Sequence, residues 1–139
     1  MRFVKLGDKY ILKLRKGETV VENLIKFANE NNIKNAYFSA IGAVLEATLS
    51  FYDLKKKKYE DLLLKGEWEI TSLIGNIMQM DNKAVVHAHI ALSDKQKNLK
   101  GGHLKEAVTG GTCEIFLDKL DSNINRKRDE ETGLNLMDI

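Results

Sequence analysis

All three histidines of this chain fall in one stretch, "VVHAHIALSDKQKNLKGGHL", at His87, His89 and His103. Imidazole binds divalent metals, shuttles protons, or simply hydrates. The first use needs convergent nitrogens. In "AVVHAHIAL" the residues alternate, as on a strand: Ala84, Val86, Ala88, Ile90 and Leu92 make one apolar face, and Val85, His87, His89 and Ala91 make the other. Residues two apart on one strand face lie about 6.6–6.8 Å apart. Two imidazoles at that spacing can lean onto one ion at about 2.0–2.1 Å per Zn–N bond. "SDKQKNLK" reads as a turn, after which the chain returns and brings His103 alongside, with Gly101 and Gly102 permitting close backbone contact. Three histidines on a tetrahedral ion leave one position open for water or substrate. The competing reading is two exposed polar-face residues and an unrelated loop histidine. Zinc is the first expectation; imidazole also suits iron, copper and nickel.

Other reactive residues form no comparable pattern. Cys113, flanked by Thr112 and Glu114, reads as a small buried hydrophobe. Glu67, Glu69 and Glu114 are each able to act as a base, but no spacing ties them to the histidines. No Ser-His-Asp order, phosphate-cradling glycine loop or helix-turn-helix is visible. Phe51, Tyr52 and Trp68 read as packing residues. The basic runs Lys55–Lys58 and Arg126–Arg128, and the lysines at 95, 97, 100 and 105, read as solvated loops.

The elements that must carry the histidines are mostly strands. "YILKLRKG" alternates with one wet face. "TVVENLIKFANEN" is the one helix, about residues 19–31 by its apolar spacing, and Thr19 followed by Glu22 matches a capping box. A long strand follows over "NAYFSAIGAVLEATLSFYD", with a bulge or close approach at Gly42. "KKKKYEDLLL" predicts a turn and short strand, "GEWEITSLIGNIMQM" a strand broken at Gly75, "AVTGGTCEIFLDKL" a strand bulged at Gly110 and Gly111, and "TGLNLM" a last edge strand. One helix and about six strands imply an α+β fold with a mostly antiparallel sheet.

Size and charge set the outer bounds. The chain has 139 residues, expected to form one domain over 1–139. A formal charge of +2 is weak for a dedicated DNA binder. The N-terminus lacks the apolar core of a secretion signal, no run is long enough for a membrane span, and one cysteine cannot pair internally. A cytoplasmic location is expected from these features.

"FSAIGAVLEATLSFYD", "GEWEITSLIGNI", "VVHAHIALSD", "GGHL" and "RDEETGL" together resemble the plants-and-prokaryotes-conserved (PPC) domain family, over nearly the whole chain. The resemblance implies a compact α+β fold and a homotrimer. It implies that Gly66, Glu67, Trp68, Glu69, Ile70 and Thr71 match the partner-contact motif of plant members. Plant members carry an AT-hook that grips DNA; this chain has no proline and so cannot contain that hook's core. Prokaryotic relatives are commonly labelled DNA-binding. The H-x-H and GGH pattern is typical of prokaryotic members and matches His87, His89 and His103 one by one, implying a metal site. The family reading is a stand-alone, trimeric DNA-binding or regulatory protein with a three-histidine metal site. The alternative is a metal-dependent small-molecule-binding protein or an enzyme, with hydrolysis as the candidate chemistry and an anion as the candidate ligand, without physiological DNA binding. A zinc there would activate water and polarise a carbonyl or phosphoryl group. The resemblance itself supplies no established reaction.

Overall fold

A computed structural model describes all of residues 1–139. Its elements run β1 (Arg2–Leu6), β2 (Lys9–Arg15), α1 (Val20–Glu30), β3 (Asn35–Asp53), β4 (Lys58–Met80), β5 (Lys83–Ser93), β6 (Leu99–Leu120), β7 (Arg126–Arg128) and β8 (Asn135–Met137). Every strand pair is antiparallel, in the order β1-β2-β6-β3-β4-β5, with β7 and β8 as a separate hairpin. The α+β expectation holds with the helix as a minor part. No helix is long and apolar enough to cross a membrane.

One further pairing shapes the whole domain. β6 pairs with β5 through residues 99–103, and with β3 from His103 onward. The circuit β3-β4-β5-β6 therefore closes on itself. α1 packs against β5 and β6, burying Val20, Leu24, Phe27 and Ala28, the helical stripe the sequence predicts. Fully burying a Leu or Phe side chain stabilises by about 1.5–3 kcal/mol. Those residues meet Phe38, Leu73, Ile77, Ile115 and Leu117 of the sheet in one core. Cys113 is buried within it, as expected.

The glycines explain how strands of 19 to 23 residues stay paired. Gly42 has φ +149°, and a Cβ there would lie 2.1 Å from the Thr112 carbonyl oxygen. It sits at register shifts with both neighbouring strands. The bulge and the close approach expected at Gly42 are both present. Gly75 does not break its strand. A Cβ there would lie 2.6 Å from the Phe38 ring and from the His87 carbonyl, so glycine lets β5 approach β4. The predicted turn is present at 54–57, but the short strand after it is not separate: it is the start of one continuous β4, because register shifts bend the β3–β4 hairpin without ending it. β1 and β7 are additional to the sequence reading. β1 is an edge strand exposed throughout, so it carries no alternation to read.

The helix start also differs from expectation. Thr19 caps by position but accepts no helix N–H. Its hydroxyl donates to Glu22 Oε2 at 2.8 Å. The free N–H groups of Val21 and Glu22 instead donate to the carboxylate of Glu106 on β6, at 2.7 and 3.0 Å. A distant acid thus does the capping and ties α1 to the strand that carries His103. Loss of a cap costs about 1 kcal/mol. Glu106→Ala is expected to lower stability by about that much, and Thr19→Ala by less than half of it, both read from the midpoint of urea unfolding at unchanged slope.

Candidate metal centre

The register brings the three histidines together. His89 on β5 faces His103 on β6 directly, while His103 also faces Ser50 on β3. His87 lies two residues before His89 on the same face. Gly101 is what admits this pairing: a Cβ there would lie 2.6 Å from the Ile90 carbonyl oxygen. The intervening turn is held by Asp94, whose carboxylate accepts the Asn98 backbone N–H at 2.9 Å.

Ring centroids are 5.3 Å apart for His87 and His89, 5.2 Å for His87 and His103, and 5.7 Å for His89 and His103. One ligating nitrogen from each lies within 4.8 Å of the others. A tetrahedral zinc with bonds of 2.0–2.1 Å needs nitrogens about 3.4 Å apart, so modest side-chain rotation completes the site. The donor set fits a divalent metal.

Burial prepares two of the imidazoles, His87 and His103, for that role, while His89 is exposed. His87 falls from its ordinary 6.5 to about 4, first because of burial, then because of the Arg126 charge and the other two rings. His103 is also lowered, again chiefly by burial. Neutral imidazole is the metal-binding form.

The histidines line a cleft of about 890 Å³. One wall is the end of the β3–β4 hairpin, with Phe51, Tyr52, Lys57, Lys58 and Tyr59; another is the β7–β8 segment, with Arg126, Arg128, Leu134 and Leu136. No Asp or Glu lines it. The C-terminal wall is fastened by the Tyr52 hydroxyl donating to the Thr132 carbonyl at 2.8 Å and by Lys57 Nζ donating to the Glu130 carbonyl at 2.8 Å. Tyr59 lies 5.4 Å from the His103 ring, and burial raises its phenol.

Two residues missed by the sequence reading belong here. Arg126, taken there as part of a solvated basic run, is only 9% exposed. Its Nη1 donates to the Asn135 carbonyl and its Nη2 to Asn76 Oδ1, both at 2.8 Å. The same Nη2 lies 3.3 Å from His87 Nδ1. Strand alternation puts Arg126 and Arg128 on one face, the only sequence signal for it. Phe51, taken as a packing residue, is 70% exposed at the cleft. Glu67 and Glu69, with half-buried Trp68, line a separate cleft of about 440 Å³ that contains no histidine. Glu114 is exposed. None of the three is placed to serve the histidines as a base.

Fold and site together define an antiparallel α+β domain with a tri-imidazole cleft closed on one side by its C-terminal hairpin. The Plants and Prokaryotes Conserved domain profile matches residues 1–121. This chain belongs to that family. It is similar to a solved structure described as a "putative DNA-binding protein" from Bacteroides thetaiotaomicron, at 31% identity and TM-score 0.95 over 99% of this chain and 96% of that one. It is similar to a plant- and prokaryote-conserved protein of Pyrococcus horikoshii, at 32% identity and TM-score 0.89 over 99% and 95%. A protein of Archaeoglobus fulgidus described as metal-containing is 36% identical, with TM-score 0.89 over 99% and 98%. A bifunctional GlmU protein of Synechococcus is 33% identical over 89% of this chain, but the chain spans only 19% of that relative's length.

The lowered His87 value sets a pH dependence for the metal-free protein. Between about 6.5 and about 4 the unfolded chain takes up a proton that folded His87 does not. Stability is therefore lost as pH falls through that window. Thermal unfolding at pH 4 to 8 in a chelator is expected to show this loss, and His87→Gln to flatten it.

Proposed function

We propose that this protein binds one divalent metal through His87, His89 and His103, zinc being the first candidate and iron or nickel the alternatives, and that the metal serves a small anionic molecule held in the same cleft. The observation that carries this is the convergence of three imidazoles from two paired strands. The metal-containing A. fulgidus relative supports it. When bound, the metal supplies a Lewis acid. The chain's own residues supply the rest: neutral ligands, a positive lining, and apolar walls that limit water. The absence of an acid from the lining gives a hydrolytic reaction no carboxylate base, so binding is the better supported form of the reading.

The protomer is proposed to act as a homotrimer. Ile11, Phe116, Ser39, Ile74 and His89 follow one another across the sheet in register. Ile11, Phe116 and Ile74 on that row are all exposed, as is neighbouring Ile41. Such an apolar strip favours association, and it would place the metal site beside a subunit boundary. Gly66–Thr71 is proposed as a partner-contact segment: Gly66, Glu67, Glu69 and Thr71 are exposed, while Ile70 is buried.

A second reading, DNA binding or regulation, is favoured by the description carried by the Bacteroides relative and by the four cations lining the cleft. It predicts an affinity that falls steeply with salt; no binding at low salt removes it.

Elemental analysis of tag-free protein is expected to find one metal per chain, lost in a His87→Ala/His89→Ala variant. Metal far below one per chain, or unchanged in the variant, contradicts the reading. Light scattering is expected to give three times the 15.8 kDa chain mass, and Phe116→Glu a smaller species.

A further inference from the structure

Arg126 is a buried cation without an anion. It takes part in none of the ion pairs of the chain. Its Nε is buried and has no hydrogen-bond partner. Buried charges are ordinarily paired, and a buried donor without an acceptor costs free energy. The two partners it does have, the Asn135 carbonyl and Asn76 Oδ1, are neutral.

Its third contact conflicts with the metal reading in an informative way. A guanidinium only donates, so at 3.3 Å His87 Nδ1 must accept from Nη2. A neutral imidazole that ligates through Nε2 carries its proton on Nδ1 and accepts nothing there. That mode of ligation leaves Nη2 and the orphan Nε needing an acceptor together. Those two donors form one edge of the guanidinium, the fork that matches a carboxylate.

The surroundings narrow the ligand further. Nothing acidic lines the cleft to balance a metal dication, and Lys57 is spent on the Glu130 carbonyl. Phe51, Val85, Leu134 and Leu136 give the cleft apolar wall. Of the four lining cations only Arg126 is buried, Lys57, Lys58 and Arg128 being exposed to water; its one free fork suits a single carboxylate, and the wall suits an organic body rather than an inorganic ion.

We propose that Arg126 is the specificity-determining residue of this cleft, and that it selects a small organic carboxylate with an apolar body, the carboxylate on the Nε–Nη2 edge and the body against Phe51, Val85 and Leu136. The proposal rests on the metal reading above and adds the ligand's class.

The test uses the full chain loaded with cobalt(II), whose visible absorption reports the metal directly. Benzoate, its neutral analogue benzamide, and phenyl phosphate are titrated by calorimetry. Wild type is expected to bind benzoate at least tenfold more tightly than benzamide or phenyl phosphate. Arg126→Gln and Arg126→Lys are expected to weaken benzoate at least tenfold while cobalt stoichiometry stays the same. Unchanged benzoate affinity in the folded, loaded variants overturns the proposal. So does no benzoate binding by wild type, or tighter binding of phenyl phosphate. The comparison of benzoate with benzamide on wild type decides the matter even if a variant loses its C-terminal hairpin. Failure to take up cobalt sinks the metal reading separately; benzoate is then titrated against metal-free wild type and variants, where the same Arg126 dependence is expected and its absence overturns the proposal.

Discussion

The pairing of His89 with His103 depends on one tight backbone contact, Gly101 against the Ile90 carbonyl oxygen. That contact lets the start of β6 join β5 before the same strand goes on to pair with β3 and β2. Sheet closure and site assembly are therefore one event. Any side chain at 101 would push β6 away from β5, separating the imidazoles and opening the circuit together. Gly75, at the back of His87, relieves the neighbouring approach of β5 to β4 in the same way.

Around that junction the electrostatics are unusual in direction. Burial first, with the Arg126 guanidinium and the neighbouring imidazoles adding to it, disfavours the protonated forms of His87 and His103. Asp61 alone pulls His103 the other way. Its carboxylate is already engaged, accepting from Ser50 Oγ at 2.7 Å and from Lys105 Nζ. With His87 and His103 held in the neutral form that binds metal, and a lining of cations rather than acids, the cleft is suited to take a metal and then to draw an anion. The C-terminal hairpin is part of this balance. It supplies Arg126 from beyond residue 121, where the family match ends.

The histidine cluster was legible because strand alternation is a local property: it puts His87 and His89 opposite an apolar face whatever the rest of the chain does. His103 was reachable through the Gly-Gly return. The main helix was legible for the same local reason, its stripe at 20, 24, 27 and 28. What escaped was non-local. Glu106 caps a helix lying 85 residues away in sequence. Arg126 is buried only because β7 folds back over β4 and β5, so in sequence it looks like its exposed neighbours Lys127 and Arg128. Phe51 has the composition of a core residue and the position of a cleft wall. The proposal of a trimer has no counterpart in local sequence pattern, since a sheet face reads the same in sequence whether solvent or another subunit covers it.

The central claim is that three imidazoles from β5 and β6 share one metal. Anomalous diffraction from crystals of the native protein, collected on both sides of the zinc absorption edge and repeated at the iron and nickel edges, tests it most directly. The account predicts one strong peak per chain, equidistant from the His87, His89 and His103 rings at about 2.0–2.1 Å from a nitrogen of each. No peak at any of these edges, or a peak bound by other residues, would contradict it.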